Sequence, residues 1–142
     1  MQAKELMIDD IVRIAKDVLI PKGTVVSING IDANNHFAEK HLVGSVSCLP
    51  INDKYGMTCG VWVEYLEPIP ITPEILEKIG FEKWDDGWYI YDQENTGIEV
   101  AWVGTILKIS GEYVNLELPA VIYVHQLQHA LRLCRISIKI GL

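Results

Sequence analysis

What the chain lacks narrows its role before any motif does. Its three cysteines, Cys48, Cys59 and Cys134, form no C-x-x-C pair, so a zinc ribbon fails on spacing. There is no G-x-S-x-G, no Walker A loop and no G-x-G-x-x-G, which removes the sequence marks of α/β-hydrolases, P-loop NTPases and dinucleotide binders. No apolar run approaches the ~18 residues of a membrane span, and the first residues carry no secretory h-region. The chain therefore reads as cytoplasmic. Cations are scarce as well: 12 Lys and Arg stand against 19 Asp and Glu, a net charge of −7. Without clustered positive charge to release counterions from phosphates, a nucleic-acid partner is disfavoured.

The imbalance is local. Between Glu74 and Glu99 there are eight acids and only Lys78 and Lys83, whereas Arg132, Arg135 and Lys139 follow Leu131 with no acid among them. A solvated face is the simpler account of the acidic stretch. The sharper one is mimicry of nucleic acid toward a DNA-handling enzyme.

What is present is ordinary globular composition, 49% hydrophobic and 22% charged over 142 residues, enough for one ordinary domain or two small ones. Residues 6–66 alternate short apolar runs with turn signals. Ile11-Val12-Arg13-Ile14 precedes a turn at Pro21-Lys22-Gly23, and Thr24-Val25-Val26-Ser27-Ile28 ends at Asn29-Gly30, a favoured hairpin dipeptide. Strands over 44–49 and 58–66 flank a turn at Asn52-Asp53-Lys54-Tyr55-Gly56. Folding about Asp53 and Lys54 sets Cys48 opposite Cys59. In a reducing compartment two buried thiols are preferred there over a disulfide. Strands at this spacing predict a small antiparallel β-barrel of SH3-like type over residues 1–67.

Glu67-Pro68-Ile69-Pro70-Ile71 reads as an extended connection, since each proline removes a backbone donor. Residues 68–142 then form an α+β domain. Thr72 as N-cap, Pro73 at the first helical position and Gly80 past the end predict a short helix over 73–79. A β-meander follows, with turns at Asp85-Asp86-Gly87, Asn95-Thr96-Gly97 and Ser110-Gly111-Glu112. A C-terminal helix is expected from Pro119 or Ala120 to about Cys134, followed by an amphipathic edge strand over 135–140. The fold class is α+β.

His125 and His129 share a helix face at a metal-ligand spacing, but two imidazoles make half of a zinc shell. Arg132 opposes a cation there, and His36 and His41 complete no ligand set. The helical wheel turns both histidines away from the apolar face made by Tyr123, Val124, Leu127 and Leu131. No metal and no cofactor is implied. Asp92 to Gly97 imitates the start of a calcium loop, yet Val103 stands where the twelfth-position glutamate is needed. Trp84, Trp88, Tyr89 and Tyr91 form a candidate partner-binding surface, with Trp88 and Ile90 on one side of a strand and Tyr89 and Tyr91 on the other. The alternative is that both sides are covered.

Three stretches carry a resemblance. Ala3-Lys4-Glu5-Leu6 with Ile8, Glu67 to Thr72 running on to Gly80-Phe81-Glu82-Lys83, and Tyr123-Val124-His125-Gln126-Leu127-Gln128 resemble, in order and spacing, a family of small uncharacterised proteins of Bacteroides-type bacteria and their mobile elements. Asp9-Asp10 replaces the family's usual Gly-Asn, and His129 stands where it typically has Asn. The resemblance implies a prophage or conjugative-element origin and brings no activity with it. The expectation is a non-enzymatic accessory or adaptor protein that binds a protein partner or itself. A metal-dependent enzyme using His125 and His129, and the acidic mimic, are the alternatives.

Overall fold

Val26 and Ile28 alternate with half-buried neighbours and are themselves fully buried, the period-2 pattern that seats one face of a strand in a core. The computed structural model describes residues 5–32, 44–52, 56–84, 87–93, 97–136 and 142. They fall into two units, Met1–Ile69 and Pro70–Leu142.

The first unit is a five-stranded antiparallel sheet. Its strands are β1 (Ile11–Ile14), β2 (Val25–Asp32), β3 (Ser45–Pro50), β4 (Cys59–Trp62) and β5 (Leu66–Glu67), arranged β4-β3-β2-β1-β5, with a 3₁₀ turn at Val63–Tyr65. Among the described residues no pairing joins β4 to β5, so the sheet is not closed into a barrel by these strands. The expected hairpin at Asn29-Gly30 is corrected. Both residues lie inside β2, which continues to Asp32 through a register shift between Ile28 and Gly30. Gly30 makes a close approach there rather than a turn: a Cβ at this position would sit 3.3 Å from the Ser47 side chain. Asp9 takes a left-handed φ of 68°, and Asp10 turns its carboxylate back to accept the Met7 N–H at 2.7 Å.

In the second unit α1 (Pro73–Lys78) forms for the reasons its sequence suggests. Thr72 Oγ1 accepts the Ile75 N–H at 3.3 Å, and Pro73 occupies the first turn, where its missing donor is harmless. Gly80, at φ 99°, ends the helix. Its N–H reaches Glu77 O at 3.1 Å and the Phe81 N–H reaches Leu76 O at 2.9 Å, the paired bonds of a Schellman cap.

Strands β6 (Glu82–Lys83), β7 (Trp88–Gln93), β8 (Ile98–Val103), β9 (Ile106–Gly111) and β10 (Asn115–Leu118) follow as an antiparallel meander in sequence order. Its inner face, with Tyr89, Val100, Trp102, Leu107 and Ile109, shares one core with Leu76 and Ile79 from the α1 segment and with Leu127, Ala130 and Leu131 from α2 (Val124–Leu133). Burying each of the valine, leucine and isoleucine side chains among them contributes about 1.5–3 kcal/mol.

Two expectations for the chain end are corrected. Helix α2 begins at Val124 rather than at 119 or 120, because Ala120 adopts φ 60° and the chain must first run extended beside the proline connection. There the Ile71 N–H donates to Ile122 O at 2.9 Å, and Pro70 bridges to Tyr123. At the far end Arg135 is not a strand residue. It holds φ 59° and forms a second Schellman cap, Arg135 N to Arg132 O and Ile136 N to Leu131 O, both at 2.9 Å. Residues 137–140 of the expected edge strand lie outside the described residues, as do His36, His41, Asp53, Lys54, Asp85, Asp86 and the stretch 94–96. Among the described residues no helix is long and apolar enough to cross a membrane.

Candidate functional site

Strand register assembles a surface on the meander face opposite the α1 and α2 core. Trp88 lies opposite Val103, and Val103 opposite Ile106. The Trp84 N–H donates to Trp88 O at 2.8 Å, extending that row past the end of β6. The next row runs Glu82, Ile90, Ala101, Lys108 and Glu117, and a third holds Glu99, Ser110 and Asn115. The face therefore grades from an aromatic and aliphatic end to a polar one. Trp84 is 68% exposed, while Trp88, Val103 and Ile106 are half-buried.

Lys108 ties the rows together. Its Nζ lies 5.4 Å from the centre of the Trp88 ring and 3.4 Å from a Glu117 carboxylate oxygen. A cation over an indole face is attracted by the ring quadrupole, worth about 0.5–1 kcal/mol at an exposed site. The Glu117 ion pair is half-exposed and adds little stability; it serves to orient the lysine. Sequence reasoning missed this contact. Its signal was the position of Lys108 between Leu107 and Ile109, on the outward side of the alternation.

The four aromatics singled out in the sequence do not share a face. Tyr89 is 5% exposed and meets Trp102 edge-on at 6.2 Å. Tyr91 packs at 5.5 Å against Phe81, and a Cβ on Gly80 would lie 3.3 Å from its ring. Both tyrosines belong to the inner face, which leaves Trp84 and Trp88 outward.

His125 and His129 do come together, with ring centroids 5.9 Å apart in an edge-to-face arrangement. The wheel turns His125 to the exposed side, and this is corrected: it is 5% exposed, with the Tyr123 ring stacked on it at 5.8 Å. The helix face alone could not reveal that cover, since Tyr123 precedes the helix. Among the described residues no group of three His, Cys, Asp or Glu side chains could hold a metal ion. Asp92 and Gly97 flank the connection between β7 and β8, which pair directly through Asp92 with Glu99 and Gln93 with Ile98.

Gln126 explains much of the local structure from Tyr123 to Gln128. Its Oε1 accepts the Ile122 N–H at 3.0 Å and the Tyr123 N–H at 3.1 Å, capping the start of α2 from the third helical position. The usual capping-box signal was hidden because no Ser, Thr, Asp or Asn stands at the N-cap. A half-open cleft of about 350 Å³ lies between the β9–β10 turn and the end of α2, with Tyr113 and Leu133 among its lining residues. Both are strongly exposed, 92% and 79%.

No protein-family model, curated protein or solved structure matches this chain.

Proposed function

We propose that the protein is a non-enzymatic accessory or adaptor that engages a protein partner through the outer face of its second sheet. The observation that carries this reading is the outward Trp84–Trp88 pair, one ring open to solvent and the other already holding the Lys108 cation. Tryptophans on a partly apolar face are typical interface anchors, and a partner seated over this end of the sheet would exclude water from both rings. Glu82, Glu99 and Glu117 on that face outnumber Lys108, which favours a partner segment bearing Lys or Arg over an acidic one or a phosphate backbone.

Finer features of this reading belong with it. The first unit is SH3-like in strand arrangement, open between β4 and β5 among the described residues; the strand order β4-β3-β2-β1-β5, the irregularity in β2 and the 3₁₀ turn between β4 and β5 support this. Membership in the Bacteroides-type mobile-element family rests on the order and spacing of the three stretches at Ala3 to Ile8, Glu67 to Lys83 and Tyr123 to Gln128. The departure at Asp9 is compatible with it, since a left-handed position suits the family's glycine and is tolerated by aspartate. The adaptor acts in the cytoplasm of its host.

Affinity capture from host lysate on the immobilised full chain, compared with Trp84→Ala and Glu82→Lys, tests the reading. A partner retained by the native chain and lost from both folded variants supports it. Equal retention by all three contradicts it.

A further inference from the structure

Cys48 and Cys59 are cross-strand partners, directly opposite in the β3–β4 register. Antiparallel neighbours hold their Cα atoms about 4.5–5.5 Å apart, inside the 4.4–6.8 Å range that a disulfide spans. Directly paired residues project to the same side, and here both join one apolar core. Their surroundings differ. Cys48 is fully buried and its thiol points at the Cys59 carbonyl oxygen, 3.5 Å away, whereas Cys59, the first residue of β4, is partly exposed.

We infer that Cys48 and Cys59 are a redox-responsive thiol pair that takes up low-molecular-weight disulfides, with Cys59 as the entry thiol and Cys48 as the resolving thiol. In the first step the Cys59 thiolate attacks one sulfur of an oxidised small-molecule disulfide. A Cys59–S–S–R bond forms, the original S–S bond breaks, and one R–S⁻ leaves and is protonated by solvent. In the second step the Cys48 thiol gives its proton to water and its sulfur attacks Cys59 Sγ. The Cys48–Cys59 bond forms and the second R–S⁻ leaves. Two protein thiols are thereby oxidised by two electrons, and one small disulfide is reduced to two thiols.

The order of attack follows from the two environments. Burial, and then the neighbouring Cys59, push the Cys48 thiol up to about 11, so at neutral pH it holds almost no thiolate and is a poor first nucleophile. Only an opposing sulfur already activated as a mixed disulfide overcomes that disadvantage. Under a reducing poise both remain thiols, as buried cysteines of cytoplasmic proteins do.

The test is to incubate the reduced full chain with oxidised glutathione, quench with acid, block remaining thiols and map the peptides by mass. A Cys48–Cys59 link with Cys134 left as a blocked thiol is expected. Cys48→Ala should stop at glutathione on Cys59. In Cys59→Ser, Cys48 should react at least about tenfold more slowly than Cys59 does in the native chain. A native chain that stops at a mixed disulfide, or links through Cys134, overturns the inference. So does a Cys48 that reacts as fast without Cys59. The native map decides the question even if a variant fails to fold.

Discussion

The side-chain oxygen of Gln126 accepts the backbone N–H of Tyr123 at 3.1 Å, so the third residue of the final helix closes that helix's own start. The same oxygen also takes the Ile122 N–H, and Ile122 in turn receives the Ile71 N–H through its carbonyl. One glutamine therefore stabilises the place where the proline connection and the last helix run side by side.

Gln126→Ala should lower stability by about 0.5–2 kcal/mol, the usual effect of losing a cap. Gln126→Glu, which keeps an acceptor beside the positive end of the helix, should retain most of it. Urea midpoints of the three proteins measure this. Indistinguishable midpoints for the native chain and Gln126→Ala would remove the cap from the account.

Backbone conformation gives three substitutions, one destabilising and two neutral or stabilising. Gly80→Ala forces a side chain into φ 99° and against the Tyr91 ring at 3.3 Å, and should destabilise by about 1 kcal/mol or more. Arg135→Gly and Asp9→Gly relieve left-handed positions at φ 59° and 68°, and each should be neutral or stabilising by up to about 1 kcal/mol. Thermal melts read both signs, and a stabilised Gly80→Ala protein would contradict the Schellman cap described for α1.

Much of this was legible in the residues. The symmetry of the turn around Asp53 put Cys48 opposite Cys59, and the observed pairing is the same. Thr72, Pro73 and Gly80 announced α1 because each answers a local backbone need. Features that depend on distant chain were hidden. Gly30 looked like a turn residue, yet its use is set by Ser47 on the neighbouring strand. His125 looked solvent-facing, yet Tyr123 covers it from outside the helix. The Lys108–Trp88 contact needed the register of three strands before the two could be set side by side. Arg135 carried no glycine to mark the end of α2.

The thiol environment implies a pH dependence. Cys48 is raised from 9.0 to about 11 in the folded chain, so the unfolded chain gives up this proton first as the medium becomes alkaline. Its contribution to stability is fully present below pH 9 and is lost as pH rises toward 11. Urea midpoints between pH 8 and 11 should therefore fall more steeply for the native chain than for Cys48→Ala. Parallel curves would place the ionisable burden elsewhere.

The histidine pair predicts a negative result with a positive control. His129→Asn removes the edge-to-face contact on the buried His125 ring and should cost about 0.5–1.5 kcal/mol. Untagged protein should carry no stoichiometric zinc, manganese or iron by elemental analysis, while a known zinc protein treated in parallel retains its metal. One metal per chain, lost in His129→Asn, would revive the enzyme reading.

The outward tryptophans are tested most directly by quantitative capture from host lysate by the full chain and by Trp84→Ala, with matched melting curves showing that both are folded. Removing an exposed anchor of this kind should weaken retention of a specific partner by at least about tenfold, roughly 1.4 kcal/mol, with little change in the melt. A partner held equally well by Trp84→Ala would contradict the outer sheet face as the binding surface.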